Sequence, residues 1–430
     1  MKLRPWKRFA LLIGLGLLIS WVVGCGSGQP NAQPSSLQAG QQEVEFWTMQ
    51  LQPDFTDYFN QLITDYEAQN PDVKVRWVDV PWADMQSKIL TAVTAGTAPD
   101  VVNLNPDFAA QLAGRKAWLS LDEAVTDTDK QVYLPKIWQA NSLNGNSFGI
   151  PWYLTTNVTF YNQDLLAEAG VEPPTTYAEL ADVAQQVKDK TGKYAYFTTF
   201  VPEDSADVLQ SFVQMGVELV DDQGQAAFDS PAGAAVFQYW TDLYQNDLLP
   251  KEVLTQGHRR AIELYQAGEV ALLSTGAEFF PIIEVNAPDI AAVTGNAPQI
   301  TGDTGKHNVA VMNLVIPAST DVPEAAVDFA LYLTNDANQL SFAKAANVLP
   351  STVAALKDEY FTASAGDTQG VEKARAVSAG QMNQAEVLIP AIDGIKELQA
   401  IIYDNLQAAM LGQKTVDEAV ADAAAEWNGR

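Results

Sequence analysis

The chain has 430 residues, of which 47% are hydrophobic and 10% are aromatic, so it is long enough for two globular lobes and is not a disordered protein. Its formal net charge of −28 opposes nucleic acid and anionic lipid headgroups as partners. It contains one cysteine, so no disulfide within the chain is expected.

The first 24 residues have the pattern of a secretory signal. The chain starts with four basic residues, Lys2, Arg4, Lys7 and Arg8. Residues 9–23 are then almost continuously apolar. A basic segment followed by a short apolar segment is typical of signal peptides. A permanent spanning helix needs about 20 apolar residues, which makes this segment marginal as an anchor. We therefore predict a signal peptide over residues 1–24.

The single cysteine, Cys25, lies directly after this apolar segment, in the sequence Val-Val-Gly-Cys. This sequence resembles the lipobox of bacterial lipoproteins. The resemblance implies cleavage before Cys25 and a diacylglycerol on its thiol. Cleavage removes four basic residues and no acidic one, which takes the net charge from −28 to −32. The alternative is an ordinary secretory signal with an incidental cysteine.

Residues 26–42 read GSGQPNAQPSSLQAGQQ and contain no charged or aromatic residue. Glycine, serine, glutamine and proline cannot bury enough apolar surface to order a chain, so residues 25–42 are predicted to be the lipidated cysteine and a flexible tether. A tethered domain of this kind works close to a membrane, on its outer side.

Strands and helices alternate after the tether. Alternation of apolar residues, helical spacing and short apolar runs predict strand, helix, strand, helix, strand. The predicted strands are residues 43–48, 73–77 and the core of 99–107; the predicted helices are residues 54–70 and the segment that carries Met85, Ile89 and Val93. This order is typical of a doubly wound α/β sheet. Ligands of such sheets lie beyond the carboxyl ends of the strands, which points to residues 47–52 and 103–107.

Further along the chain, local signals predict a hairpin and several helix starts. Asn144-Gly145 favours a tight type I′ turn. Thr176 to Glu179 and Thr415 to Glu418 are predicted capping boxes, and Ser230-Pro231 is a predicted helix start. A second strand-rich segment covers residues 308–317.

Several blocks resemble the bacterial extracellular solute-binding proteins, the sugar-binding components of ATP-binding-cassette importers of the maltose-binding type. They are GIPWYLTTNVTFYNQDLLAEAGVEPPTTYAEL (149–180), AGTAPDVVNLNPDF (95–108), YQAGEVALLSTGAEFF (265–280), NVAVMNLVIPAST (308–320), FAKAANVLPST (342–352) and GQKTVDEAVADAAAEW (412–427). Their order and spacing cover essentially all of residues 43–430.

This resemblance implies an α/β fold of the periplasmic-binding-protein type. Its two lobes are joined by three crossovers at a hinge, and the ligand cleft lies between them. The expected N-terminal lobe is residues 43–152 plus about 312–350, and the expected C-terminal lobe is about 153–311 plus 351–430. The crossovers are expected near residues 150–155, 311–317 and 348–351.

The resemblance also implies a set of ligand-binding residues. Flat aromatic rings with amide and carboxylate acceptors suit a sugar, which offers apolar ring faces and a rim of hydroxyls. The implied residues are Trp47, Gln50, Gln52, Asn105, Asp107, Trp152, Tyr153, Phe200, Glu203, Glu278, Phe279 and Asn313. Two positions depart from the maltose pattern: Leu104 where an aromatic is common, and Glu278 where tryptophan is common. Both departures favour a smaller or more polar glycoside over a long maltodextrin.

Some of these residues also have a purely structural interpretation. Trp152 serves either as a stacking platform or as hinge packing. Asp107 is either a ligand acceptor or the cap of the following helix, or both. Glu203 is either a ligand group or a solvated charge, and Asn313 either contacts ligand or satisfies backbone groups at a crossover.

The main rival class is an enzyme, such as a lipoprotein glycoside hydrolase, and a non-transport carbohydrate sensor is a further alternative. The sequence has no G-x-S-x-G elbow and no phosphate-binding G-x-x-x-x-G-K-[ST] loop. His258 and His307 are far apart, so no zinc site is expected. We predict a binding protein without catalytic residues, metal or cofactor. Its expected partners are a sugar, the subunits of a membrane permease and the lipid anchor. We expect a monomer held at the cell envelope, outside the cytoplasmic membrane.

The anchor gives the first testable prediction. Replacing Cys25 by serine (Cys25→Ser) removes the thiol and should abolish lipid attachment, while ligand affinity stays unchanged because the tether separates residue 25 from the lobes. Metabolic labelling with a radioactive fatty acid measures the first effect, and calorimetric titration the second. Label that still enters the Cys25→Ser protein contradicts the lipobox interpretation.

Overall fold

The structure is a computed structural model that describes residues 40–202, 204–362, 370–389, 391–392 and 394–430; of residues 106, 107 and 362 it describes the backbone alone. The predicted signal peptide, Cys25, most of the tether and Glu203 lie outside the described residues. Within the described ranges, no helix combines the length and the apolar character that crossing a membrane requires.

Thirteen strands are present in the described part of the chain. In chain order they are β1 (Gln42–Met49), β2 (Val73–Val80), β3 (Val101–Leu104), β4 (Ser142–Leu143), β5 (Asn146–Ser147), β6 (Ile150–Thr155), β7 (Asn157–Asn162), β8 (Leu272–Gly276), β9 (Thr294–Ala297), β10 (His307–Asn308), β11 (Ala310–Val315), β12 (Leu349–Pro350) and β13 (Ala385–Glu386).

The α-helices of the same residues connect and cover these strands. They are α1 (Thr56–Gln69), α2 (Trp82–Ala95), α3 (Pro106–Ala113), α4 (Leu121–Ala124), α5 (Asp127–Lys130), α6 (Pro135–Ala140), α7 (Gln163–Ala169), α8 (Tyr177–Thr191), α9 (Asp207–Gln214), α10 (Pro231–Gln245), α11 (His258–Gln266), α12 (Phe280–Asn286), α13 (Pro288–Ala292), α14 (Pro323–Leu333), α15 (Asp336–Ala346), α16 (Glu359–Thr362), α17 (Val371–Gly380), α18 (Ile395–Met410) and α19 (Val416–Asn428).

The first lobe is built on a six-stranded sheet with the order β12-β6-β11-β3-β1-β2. The predicted parallel arrangement is confirmed for β2, β1 and β3. The sheet as a whole is mixed, because β11 runs antiparallel to both of its neighbours, β3 and β6. The physical reason is the chain path: β6 leads out to the second lobe, and β11 enters on the return from it.

Both faces of this sheet are covered, as a parallel sheet requires. Phe46 points to one face, where it packs with Phe59 and Phe329. Its neighbour Trp47 points to the other face, in a cluster with Met85 and Ile89 of α2. The alternation of side chains along β1 therefore supplies one core residue to each side.

The second lobe is built on a three-stranded antiparallel sheet, β8-β7-β9. Its core is formed by the helices between β7 and β9 together with α18 and α19. Residues Ile150–Asn162 therefore supply one inner strand to each sheet. In the first lobe β6 lies between β12 and β11, and in the second lobe β7 lies between β8 and β9. A single residue, Thr156, separates the two strands.

A buried polar network surrounds this junction. The Thr156 hydroxyl lies 2.6 Å from that of Ser378, and Gln381 Nε2 donates to the Asn157 carbonyl at 3.2 Å. The backbone N–H of Gln299 donates to Gln381 Oε1 at 2.8 Å, and Gln299 Oε1 accepts from the Asn308 N–H at 2.6 Å. Groups from three separate passages of the chain are therefore joined at one place.

Two hydrophobic cores, one in each lobe, meet at the passages of the chain between the lobes. Leu154 packs in the first core and Val158 in the second; Ile300 packs in the second and Val309 in the first. In the third passage, Phe361 still packs in the first core, because the segment after β12 folds back on the first lobe.

The predicted local signals are confirmed. Asn144 and Gly145 both have positive φ angles, 53° and 78°, between β4 and β5. In the capping boxes at Thr176 and Thr415, both hydrogen bonds are present: the threonine side chain accepts from the backbone N–H of the glutamate, and the glutamate side chain accepts from the backbone N–H of the threonine. The Ser230 side chain accepts from the Gly233 N–H. Short-range chemistry fixes these features, and the tertiary fold leaves them unchanged.

The hinge network gives the second prediction. Replacing Gln381 by leucine leaves the buried Gln299 N–H without its acceptor, which should lower the free energy of unfolding by about 1–3 kcal/mol. Urea denaturation followed by circular dichroism measures the change.

Gln185 of α8 is the matched control, since its side chain is exposed and bonds only Asp189 one turn away. The Gln185→Leu change should alter the free energy of unfolding by less than about 0.5 kcal/mol. Equal effects of the two substitutions contradict a structural role for the network.

Candidate functional site

A cleft of about 410 Å³ is lined from both lobes. Four lining residues come from the first lobe and five from the second: Trp82, Gln86, Asn105 and Phe108, and opposite them Pro202, Asp204, Lys396, Glu397 and Ala400. Another cavity, of about 360 Å³, lies beside the β4–β5 hairpin and is lined by the first lobe alone. The cleft is therefore the place where one ligand touches both lobes.

The first-lobe wall is formed where parallel strands end. Trp82 begins α2 directly after β2, and 46% of its surface is exposed. Gln50 follows β1 with a positive φ angle of 53°, and its Oε1 accepts from the Trp82 N–H at 3.3 Å. The loop after β1 thereby positions Trp82, the aromatic residue that follows β2.

Asn105 and Phe108 belong to the start of α3, after β3. Asn105 is the N-cap: its Oδ1 accepts from the Phe108 N–H at 2.8 Å. This corrects the interpretation of Asp107 as the cap, because α3 begins at Pro106 and Asp107 lies inside its first turn. Capping uses the Asn105 side-chain oxygen and leaves its amide nitrogen for the cleft.

The second-lobe wall carries a cluster of titratable groups. Asp204 lines the cleft, and its Oδ2 accepts from the His258 backbone N–H at 2.6 Å. The His258 ring lies 3.1 Å from the Thr275 hydroxyl, measured from Nε2. Burial raises the pKa of Asp207, and the nearby His258 acts in the opposite direction. This wall is rich in carboxylates and donors.

One side of the cleft is closed by helices. Helices α3 and α18 approach each other from the two lobes, and Lys396 and Glu397 lie in the first turn of α18.

Tyr153 and Glu278 lie close together at the junction of the lobes. Burial raises the pKa of the Tyr153 hydroxyl, and the charge of Glu278 adds to this rise. Burial also raises the pKa of the Glu278 carboxyl to about 7, against a smaller lowering by a hydrogen bond from its own backbone N–H. The Glu278 carboxylate lies over Gly276, where a Cβ atom would clash with it.

Trp152 is placed in the core of the first lobe and not in the cleft. Only 1% of its surface is exposed. Its ring stacks on Phe342 at 4.9 Å between centroids, and Phe59 and Tyr153 meet it edge-on. Because its surface is covered in this way, neither face of the indole is exposed for contact with a sugar ring. This placement corresponds to the interpretation of Trp152 as hinge packing.

Three further predicted residues are also buried away from the cleft. Trp47 is 7% exposed, with its Nε1 donating to Glu45. Phe200 is fully buried and packs against Trp240 and Tyr403. Asn313 lies inside the six-stranded sheet, where its Nδ2 donates to the Val311 carbonyl at 3.1 Å.

Two of the remaining predicted residues, Gln52 and Phe279, are exposed. Gln52 is exposed after β1, and its N–H donates to Asp79. Phe279 is 38% exposed, with its ring 6.3 Å from that of His258. The structure describes only the backbone of Asp107 and does not describe Glu203. Of the predicted set, Asn105 lines the cleft and Gln50 supports it through Trp82, while Tyr153 and Glu278 lie near each other at the junction of the lobes.

Most residues of the cleft wall were not among the predicted ligand-binding residues. Trp82 and Gln86 were detectable, because β2 is a parallel neighbour of β1 and the strand-end rule applies to the residues after Val80 as well. Asp204 directly follows the predicted Glu203. Lys396, Glu397 and Ala400 carry no local signal, since α18 reaches the cleft only through the packing of the second lobe.

The described residues include no group of three or more histidine, cysteine, aspartate or glutamate side chains placed to hold a metal ion. The described part of the cleft offers an exposed indole, the Phe108 ring, amides, carboxylates and the Lys396 ammonium. Such groups bind a neutral or polar organic molecule through ring contact and hydrogen bonds.

Comparison with known proteins agrees with this geometry. The family model of the bacterial extracellular solute-binding proteins matches residues 52–340. A solved periplasmic-binding protein from Synechococcus sp. MITs9220, provisionally assigned to oligosaccharides and crystallised in complex with zinc, is 45% identical. The match covers 90% of this chain and 98% of that one, with a TM-score of 0.84.

Two curated relatives are more distant. The arabinooligosaccharide-binding protein of Halalkalibacterium halodurans is 27% identical over 68% of this chain and 67% of its own length. The mannitol-binding protein of Pseudomonas aeruginosa is 24% identical over 83% of this chain and 86% of its own length. The chain belongs to the family of bacterial extracellular solute-binding proteins.

Proposed function

We propose that the protein captures a short sugar or sugar alcohol in the cleft between its lobes and delivers it to the permease of an ATP-binding-cassette importer. The observation that carries this proposal is the cleft itself, lined from both lobes by an exposed indole, amides and carboxylates. A ligand held there gains contacts with both lobes only when they are closed, so binding favours the closed state.

The chemistry of the wall supports a carbohydrate ligand. Trp82 offers an exposed aromatic face, and Gln86 and Asn105 offer amide groups beside it. Asp204 and Glu397 offer carboxylates from the other lobe, which accept hydrogen bonds from hydroxyls. Two relatives are named for an arabinooligosaccharide and for mannitol, ligands whose surfaces present rows of hydroxyls.

The size of the cleft supports a short ligand. A cleft of about 410 Å³ lies at the lower end of the range typical of small-molecule sites. The approach of α3 to α18 closes it on one side. A monosaccharide, a disaccharide or a short oligosaccharide that extends from the open side fits this shape.

The cellular setting follows from the N-terminal sequence and the charge. In our proposal, lipid on Cys25 holds the protein outside the cytoplasmic membrane, and residues 26–42 let the lobes reach the permease. The mature charge of −32 supports a monomer, because copies of the chain repel each other. The proposed N-terminal lobe is residues 43–152 with about 312–350, and the proposed C-terminal lobe is about residues 153–311 with 351–430.

Catalysis plays no part in this proposal. A glycoside hydrolase needs two carboxylates about 5–5.5 Å or 6.5–9.5 Å apart, on either side of the scissile bond. A sugar screen by thermal shift, followed by calorimetry and chromatography of the incubated sugar, tests both classes. We expect a raised melting temperature with an unchanged sugar. Released monosaccharide contradicts the binding function, and the absence of any stabilising sugar contradicts the ligand class.

The next prediction compares two tryptophans. Replacing the exposed Trp82 by alanine removes the ring contact and should cost about 2–4 kcal/mol of binding, with little change in melting temperature. Replacing the buried Trp152 by alanine leaves a cavity and should cost about 3–5 kcal/mol of stability.

Calorimetric titration and a melt without ligand separate these effects. The Trp152→Ala protein, where it folds, should bind with near-normal affinity below its melting temperature. Normal affinity in the Trp82→Ala protein removes Trp82 from the site. Unchanged stability in the Trp152→Ala protein contradicts its placement in the core.

A further prediction concerns pH. Because the pKa of Glu278 is raised from its ordinary value of 4.5 to about 7, the folded protein keeps a proton that the unfolded chain loses between these values. Below pH 4.5 Glu278 is protonated in both states and costs the folded protein no stability. As the pH rises from 4.5 to about 7, the free energy of unfolding falls. Replacement by glutamine should remove this loss.

Melting temperatures from pH 4.5 to 8 measure the effect. The Glu278→Gln protein should gain stability relative to the wild type as pH rises, by about 1–2 kcal/mol in total after allowance for partial solvent exposure. Parallel stability profiles contradict a protonated Glu278 in the folded protein.

A further inference from the structure

One carboxylate of the cleft wall is held by the start of α11. Asp204 lines the cleft and is exposed. Its Oδ2 accepts from the backbone N–H of His258, the first residue of α11, at 2.6 Å. Helix starts leave such N–H groups without a partner inside the helix, and the side chain of the N-cap usually supplies one. Gly257, the N-cap of α11, has no side chain, so Asp204 supplies the acceptor from another segment.

The glycine at position 257 is needed for space. Its φ angle of −82° is open to any residue, so backbone conformation does not require glycine. A Cβ atom at Gly257 would, however, clash with the Asp204 carboxylate. The carboxylate thus occupies the room that a side chain at residue 257 would take. Within the described ranges, no donor reaches its other oxygen, Oδ1, which leaves this atom for a ligand.

The segment that carries Asp204 is fastened to α18. Gln399 is 1% exposed, and its Nε2 donates to the carbonyls of Pro202 and Ser205, each at 2.7 Å. Because these carbonyls lie on either side of Asp204 in the chain, one side chain fixes both ends of the turn. Lys396, which also lines the cleft, donates to Gln399 Oε1 at 3.4 Å. The amide therefore keeps its nitrogen directed at the turn.

Two further side chains of α18 extend this attachment. The Tyr403 hydroxyl donates to the Ser205 carbonyl at 2.8 Å. Gln407 Nε2 donates to the Phe200 carbonyl at 2.8 Å. Residues 399, 403 and 407 are four apart, so they lie in one row on the helix. We call Gln399, Tyr403 and Gln407 the polar row. The polar row holds the backbone of residues 200–205 at several points.

This attachment gives the carboxylate a fixed direction. Hydrogen bonds weaken steeply when donor and acceptor are misaligned. An acceptor that is already held in place also loses less conformational freedom on binding than a mobile one. An ionised carboxylate accepts and cannot donate, so it recognises a donor at one place of the ligand. A site built to bond a hydroxyl rejects an analogue that lacks this hydroxyl.

A purely structural role of Asp204, as a remote cap of α11, is the alternative interpretation. Capping explains the hydrogen bond from His258, but it uses one carboxylate oxygen. It does not explain why a buried glutamine from α18 holds a turn on the wall of the cleft. The two interpretations differ in what a change at Gly257 or Gln399 does to the choice between two sugars.

We propose that Asp204 determines specificity by accepting a hydrogen bond from one hydroxyl of the sugar, and that Gly257 and Gln399 are positioning residues that fix its carboxylate for this task. This inference rests on the proposed function and deepens it, since it names the group of the second lobe that selects the sugar. It also assigns a role to two residues that do not themselves contact ligand.

Calorimetric titration with modified sugars tests the proposal. The probe is whichever of D-mannitol, L-arabinose, D-glucose, maltose and sucrose raises the melting temperature most, together with its deoxyfluoro derivatives, in each of which fluorine replaces one hydroxyl. One derivative should bind the wild type about tenfold more weakly than the parent sugar, because a hydrogen bond to a charged group is lost. In the Asp204→Ala, Gly257→Ala and Gln399→Leu proteins this ratio should fall below about threefold.

Several results would overturn the proposal. Equal affinity of the wild type for the parent sugar and all derivatives excludes a selected hydroxyl. A tenfold ratio that persists in Asp204→Ala assigns the hydroxyl to another group. A ratio that persists in Gly257→Ala excludes positioning. This last variant decides even where Gln399→Leu does not fold, because the added methyl group displaces only the end of one short side chain.

Two matched controls should keep the full ratio. Gly380→Ala adds a methyl group at an exposed glycine, where a Cβ atom meets nothing within 4 Å. Gln245→Leu removes another hydrogen bond from a glutamine to a backbone carbonyl, that of Ala409 near the other end of α18. A ratio lowered equally in the controls overturns the specific role of Gly257 and Gln399.

Hydrogen exchange of the unliganded proteins separates positioning from sugar binding. The N–H groups of Asp204 and Asp207 are bonded within the turn. They should exchange about tenfold faster in Gln399→Leu than in the wild type, and at the wild-type rate in Gln245→Leu. Unchanged exchange overturns the role of Gln399, whichever sugar binds. If no sugar of the panel binds the wild type, the proposed function is wrong and the assignment of Asp204 falls with it.

Discussion

The architecture depends on one stretch of chain, Ile150–Asn162, that serves as an inner strand of both sheets. Hydrogen bonds on both edges hold β6 in the first lobe and β7 in the second, so neither half moves independently of its lobe. The chain passes between the lobes at the single residue between the strands, Thr156, and at the two other passages beside it. The buried network of Thr156, Ser378, Gln299 and Gln381 satisfies the polar groups that this junction leaves unpaired.

A joint of this kind explains where the ligand site lies. The carboxyl ends of β1, β2 and β3 meet at one edge of the first sheet, and the second lobe stands across from that edge. Trp82 and Asn105 come from these strand ends, whereas Asp204 and the start of α18 come from the other lobe. Each lobe alone offers half of a wall, so ligand affinity and lobe closure are two aspects of one equilibrium.

The aromatic residues divide between core and cleft according to their position in the strand or after it. Trp47 and Trp152 lie inside strands, where alternation turns each side chain into a covered face of the sheet. Trp82 comes directly after a strand, where the chain turns and no layer covers the side chain. An indole in the middle of a buried strand is therefore a poor candidate for ligand contact, even when its sequence block is the most recognisable in the family.

Features that depend on short-range chemistry could be predicted from the amino-acid sequence alone. The strand and helix order of residues 43–107, the turn at Asn144-Gly145, the capping boxes at Thr176 and Thr415, and the family all follow from residues close together in the chain. Only the tertiary structure decided which predicted site residues reach the cleft: it buried Trp152, Phe200 and Asn313, and it brought in Lys396 and Glu397 from a helix almost 300 residues beyond Asn105. The physical reason is that local signals fix a backbone conformation, whereas exposure of a side chain depends on what packs over it. In a protein whose chain passes three times between its lobes, those packing partners come from distant parts of the sequence.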